Sequence, residues 1–239
     1  MSPLSRNRII SLLTTAGALC VGACGFDQSA DGLGIEFPTT CAEVQSGTGH
    51  VGDGEYTLYA DGDPAHPWQA YCDFGGGQAR AYLTLPSGDG INTSRLRVYD
   101  GTSFTTVQTG FERVRVDPTT LEVDLDDRTF ARSVGTAYAS SYLVKELPFG
   151  VAAACSNDPA LTVEARAGID LGHNPFVIDG AFCTDGGRTA NSRADVAGTK
   201  VTLSVAPDEL NECAVASIDP CLAPPYAAGT HHLRLAYQP

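Results

Sequence analysis

Phe111-Glu112-Arg113-Val114-Arg115-Val116, then Asp117-Pro118-Thr119-Thr120, then Leu121-Glu122-Val123-Asp124-Leu125, is the stretch that decides the fold. Apolar and charged residues alternate on both sides of the Asp-Pro break, which is the signature of strands with one face on a core. Asp-Pro favours turn initiation, and four residues suit a hairpin built on a type I turn. Setting Val116 opposite Leu121 brings Val114 opposite Val123 on one face. The other face then pairs Arg115 with Glu122 and Arg113 with Asp124. One register satisfies both faces, so the segment is predicted to be an antiparallel hairpin in that register.

The same alternation recurs at residues 55–59, 81–85, 95–99, 201–205 and 231–235. No apolar repeat of helical period runs for three turns. Single helical turns are expected only at 147–154 and 207–213. The 26 glycines and 14 prolines are spread along the chain as turn punctuation. The fold class predicted is mainly β, an antiparallel sandwich or distorted barrel with short helical turns.

Toward the N-terminus, Arg6 and Arg8 precede a short apolar run from Ile9 to Leu19, followed by small residues. These are the parts of a secretory signal, and the run is too short to span a bilayer. Val21-Gly22-Ala23-Cys24 resembles a bacterial lipobox, whereas bulky Leu19 makes Cys20 a poorer site. Residues 1–23 are therefore expected to be a lipoprotein signal peptide, with Cys24 lipidated, 24–40 a flexible spacer and 41–239 one domain. The resulting expectation is an exported, cell-envelope protein, held at the outer membrane and touching it only through the lipid. The net charge of −13 argues against nucleic acid and against anionic lipid surfaces as partners.

Six cysteines remain: Cys41, Cys72, Cys155, Cys183, Cys213 and Cys221. An even number in an exported chain reads as disulfides, and the lack of a C-x-x-C disfavours a zinc ribbon or redox pair. Fifteen pairings are open. Short loops favour Cys41–Cys72 and Cys213–Cys221, leaving Cys155–Cys183.

The chain shows no His-Glu-x-x-His and no Gly-x-Ser-x-Gly elbow, and neither a Walker loop nor a dinucleotide fingerprint is expected. No catalytic residue is nominated, and no cofactor. Zinc would have to use His50, His66 or His173 together with one of the strand neighbours His231 and His232, which point to opposite faces. Lone histidines are usually satisfied surface or core groups. Calcium could use Asp61, Asp63 and Asp73, although Asp-Gly-Asp-Pro is also a turn and lacks the spacing of a calcium loop. Arg95, Arg97, Arg113 and Arg115 could form a basic stripe for acidic ligands, or be neutralised by Glu122 and Asp124 across the hairpin.

Cys41-Ala42-Glu43-Val44, the 53–59 block, and Tyr71-Cys72-Asp73 resemble the opening of the GON domain, a module of ADAMTS-type secreted metalloproteases. The likeness continues through 82–85, the 111–124 hairpin, Phe130-Ala131-Arg132-Ser133, the 148–155 block and 168–176, and thins after Phe176. The opening alone also resembles fibrinogen-like domains, but those are tryptophan-rich and this chain has only Trp68. In the GON family, zinc and peptidase activity belong to a separate catalytic domain. The resemblance thus implies a non-catalytic interaction or adhesion module that binds an extracellular protein or polysaccharide. The competing expectation is a metallopeptidase-associated or zinc-dependent secreted hydrolase. No ligand-binding residue is singled out.

Overall fold

The computed structural model describes residues 37–49, 52–139, 141–156, 158, 161, 163–180, 182–183, 193–206, 213–218 and 232–238. The expected signal, Cys24, the spacer before 37, His50, His231, Cys221 and the turn at 207–212 lie outside them. In chain order the elements are α1 (Cys41–Thr48), β1 (Gly54–Tyr59), β2 (Pro67–Asp73), β3 (Arg80–Thr84), β4 (Thr93–Tyr99), β5 (Phe104–Phe111) and β6 (Arg113–Asp117). Next come β7 (Glu122–Asp124), β8 (Ala131–Val134), β9 (Ala137–Ala139), β10 (Tyr142–Val144), β11 (Val151–Ser156) and β12 (Ala165–Asp170). The last are β13 (Phe176–Ile178), β14 (Phe182–Cys183), β15 (Arg193–Ala197), β16 (Lys200–Val205), β17 (Cys213–Ile218) and β18 (His232–Tyr237). The fold is mainly β and barrel-like, as the alternating sequence predicts.

A seven-stranded sheet runs β1-β2-β3-β6-β7-β18-β13. A nine-stranded sheet runs β14-β17-β11-β4-β12-β16-β15, with β5 on β4 and β8 on β5, and β9 and β10 form a separate pair. Nearly all pairings are antiparallel; β4 and β11 run parallel. In the first sheet the registers align Cys72, Ala81, Val116, Val123 and Leu233 across five strands. All five are buried in one apolar cluster shared with the second sheet. Side chains alternate along each strand, so the flanking positions face outward.

The hairpin forms, but its register differs from the expected one by two residues: Val116 faces Val123 and Arg115 faces Asp124. The loop is therefore 118–121. Asp117 holds it, its Oδ1 accepting from the amides of Thr119 and Thr120 at 2.8 and 3.2 Å. The Leu121 amide donates to the Asp117 carbonyl at 2.8 Å, with Leu121 itself at φ 56. A two-residue slip leaves every side chain on its face, so the inside-outside assignment survives.

Helix α1 is absent from the sequence-based expectation. Thr40 caps it, its Oγ1 accepting from the Glu43 amide, while the Glu43 carboxylate accepts from the amides of Thr39 and Thr40. This is a capping box, and Gly49 at φ 75 ends the helix. Phe37 packs edge-on against Tyr59 at 5.0 Å, and the Tyr59 amide donates to the Pro38 carbonyl. Residues 37–40, assigned to the spacer, are thus docked on β1.

The helical turn expected at 147–154 is instead a non-helical turn at Phe149 and Gly150 that leads directly into β11. Thr109 and Ser94, both fully buried on β5 and β4, hold it: the Leu147 amide donates to Thr109 Oγ1 and the Val151 amide to Ser94 Oγ. Ser94 Oγ in turn donates to the Pro148 carbonyl at 2.6 Å. Gly150, at φ 73, takes a left-handed conformation that favours glycine, and a Cβ there would press on the Cδ1 tips of Ile218 and Ile169 at 2.8 and 3.1 Å.

Cys41–Cys72 is present and pins α1 to β2. The other expected pairings are incorrect. Cys155 is bonded to Cys213, its direct antiparallel partner on β17, with Cα atoms 4.1 Å apart. Cys183 is also disulfide-bonded, to a partner outside the described residues. Short-loop reasoning fails because the sheet brings residues 58 positions apart face to face. Such bridges are consistent with an oxidising, extracytoplasmic compartment.

Gly135, at φ 83, packs so closely on β5 that a Cβ would run into the Thr106 carbonyl oxygen, whereas Gly101, at φ 97, has open space. Gly135→Ala should therefore lower unfolding free energy by about 3 kcal/mol or more, and Gly101→Ala by only about 1–2 kcal/mol. Urea denaturation of both variants checks this; equal losses would show the contact to be unimportant.

Candidate functional site

The hairpin carries the charged outer face of the seven-stranded sheet. Across β1, β2, β3, β6 and β7 one outward row reads Glu55, Tyr71, Tyr82, Arg115, Asp124. Tyr82 is nonetheless fully buried, because the segment after β7 folds back over it. Phe130 packs edge-on against Tyr82 at 4.8 Å and Tyr71 at 5.4 Å. The Tyr82 hydroxyl donates to Asp127 Oδ2 at 3.2 Å and lies 3.4 Å from Thr129 Oγ1. Burial pushes its phenol above the ordinary value near 10; the Thr129 hydrogen bond opposes this and the charge of Asp127 adds to it.

The four arginines do not form one stripe. Arg95 and Arg97 lie on β4 of the larger sheet, and Arg113 and Arg115 on β6 of the smaller. Arg95 donates to Gln108 Oε1 at 2.7 Å, and Arg97 sits over the Phe104 ring at 4.3 Å. Arg113 stacks on Tyr71 at 3.9 Å and Phe130 at 4.8 Å, rather than facing Asp124. Arg115 reaches Asp124 at 3.5 Å.

Two of the three carboxylates considered for calcium, Asp63 and Asp73, serve turns. Asp63 accepts from the Ala65 amide, and Asp73 from the Gly75 amide, each at 2.8 Å. His66 stacks on Tyr237 at 4.6 Å and lies 3.7 Å from Asp63. Among the described residues, no three His, Cys, Asp or Glu side chains gather to hold a metal ion. The expected lack of a dinucleotide fingerprint is corrected in one respect: Gly47-Thr48-Gly49-His50-Val51-Gly52 has its spacing, but Gly49 ends a helix, whereas phosphate binding needs the glycines to open one.

Among the described residues, two further surface features stand out. One is a cleft of about 430 Å³ between the start of α1 and the ends of β3, β6 and β7, lined by Arg80, Arg115, Asp117, Glu122 and Asp124 among others. The other is the β9–β10 pair. Ala137, Ala139 and Val144 point into the core, while Tyr138 and Leu143, directly opposite each other, face out at 67% and 44% exposure. Tyr142 is 51% exposed beside them. Neither feature was found by sequence reasoning; the alternation of Ala137-Tyr138-Ala139 was the available signal.

No protein-family model, curated protein or solved structure matches this chain.

Tyr82→Phe should lower stability at neutral pH by about 1 kcal/mol through loss of the hydroxyl's hydrogen bonds. A phenol raised on folding contributes stability that is complete below its ordinary value near 10 and declines as pH climbs above it. The wild type should therefore lose stability between that value and the raised one, and Tyr82→Phe should lose less over the same window. Denaturant titrations from pH 8 to 11 test this; parallel profiles would refute it.

Proposed function

We propose that this chain is a non-catalytic interaction module, GON-like in character, which binds a polysaccharide or protein of the cell envelope. In this reading the chain is exported and tethered through a lipidated Cys24, which leaves the β domain facing the extracytoplasmic space. The observation that carries the binding role is the outward pair Tyr138 and Leu143, with Tyr142 beside it, in a fold whose other apolar residues are mostly inside. Tyrosine rings offer large, stiff contact area with a polar tip, a combination enriched in recognition surfaces and suited to stacking on sugar rings. A two-stranded pair held by small inward alanines can present such residues without depending on them for stability. The absence of hydrolase and metalloprotease motifs supports the non-catalytic part of the reading.

The test is co-sedimentation of the oxidised chain with isolated envelope polysaccharide, together with cross-linking to envelope proteins, for the wild type and for Tyr138→Ala and Leu143→Ala. Each substitution should weaken association by about tenfold or more, with an unchanged melting temperature. Unchanged association in both variants would sink the proposal.

A further inference from the structure

We propose that the cleft between α1 and the ends of β3, β6 and β7 is a binding site for a small zwitterion, an amino acid or short peptide with both termini free. This is independent of the β9–β10 surface. The cleft's volume of about 430 Å³ lies in the range of small-ligand sites. Its charge is divided rather than uniform. On β3, the half-buried Arg80 hydrogen-bonds Tyr82, but its buried Nε has no hydrogen-bond partner and its guanidinium makes no ion pair among the described residues. Cys41 and Ala42, at the start of α1, line the same cleft, where the first amides of a helix lack intrahelical partners. Together these suit a carboxylate.

The anionic side comes from the hairpin. Glu122 accepts no hydrogen bond and joins no ion pair among the described residues, so its carboxylate is available. Asp117 faces it across the strand pair, its Oδ1 already committed to the turn. Asp124 already engages Arg115. A plain anion would meet three carboxylates, and these side chains do not gather closely enough to hold a metal ion. A sugar would find no aromatic ring in the lining. A ligand with a carboxylate at one end and an ammonium at the other satisfies both walls. The site is also preformed, since Cys41–Cys72 fixes α1 against the sheet.

Isothermal titration calorimetry of the oxidised chain with alanyl-alanine, its N-acetyl form, its C-terminal amide and acetate tests the proposal. Alanyl-alanine should bind, and blocking either terminus should weaken binding by about tenfold. Arg80→Gln should abolish the distinction between free and amidated C-termini. Glu122→Gln should abolish that between free and acetylated N-termini. No heat up to about 10 mM dipeptide, equal binding of free and blocked forms, or acetate binding as well as the dipeptide would each overturn it. Should either variant fail to fold by circular dichroism, the blocked peptides on the wild type decide the matter.

Discussion

One row of inward side chains sets the rest of the molecule. Cys72, Ala81, Val116, Val123 and Leu233 lie in register across five strands and enter the same core. Because side chains alternate, that row obliges the neighbouring positions on every strand to face outward. The charged residues of the hairpin, and the cleft they line, are consequences of this obligation. The inner row also places Cys72 where Cys41 can reach it, which fixes α1 over the cleft.

Among the described residues, several buried polar side chains tie loops to strands. Ser94 and Thr109 bind the chain as it enters β11. Asn92, at φ 50 and fully buried, donates to the carbonyls of Pro86 and Asp170 and accepts from the Asp170 amide, so it ties the β3–β4 loop to the end of β12. Buried side chains with hydrogen bonds of this kind fix one arrangement of loops that apolar packing alone would leave less specified.

What the sequence made legible was whatever local periodicity encodes. The strands at 55–59, 81–85, 95–99 and 201–205 follow from alternation, as does the inside-outside assignment of the 111–125 hairpin. Its register did not follow, because apolar Leu121 reads as the first strand residue when it closes the loop in a left-handed conformation. Helix α1 was legible in principle, since Thr40-Cys41-Ala42-Glu43 spells a capping box. Eight residues are too few for an apolar period to announce it. Cys155–Cys213 and the separation of Arg95 and Arg97 from Arg113 and Arg115 depend on which strands become neighbours, and no local pattern carries that information. The same holds for the cleft, whose walls come from three separated stretches of chain.

The position of β18 has a consequence for how the molecule comes into being. It is the last strand in chain order, yet it lies between β7 and β13 inside the seven-stranded sheet. A chain synthesised N-terminus first presents β7 and β13 well before the strand that joins them. Until then both would expose an unpaired edge, a template for association with other chains. Assembly of this sheet is therefore completed only late in the life of the nascent chain, whose open edges must be kept from their neighbours until that final strand arrives.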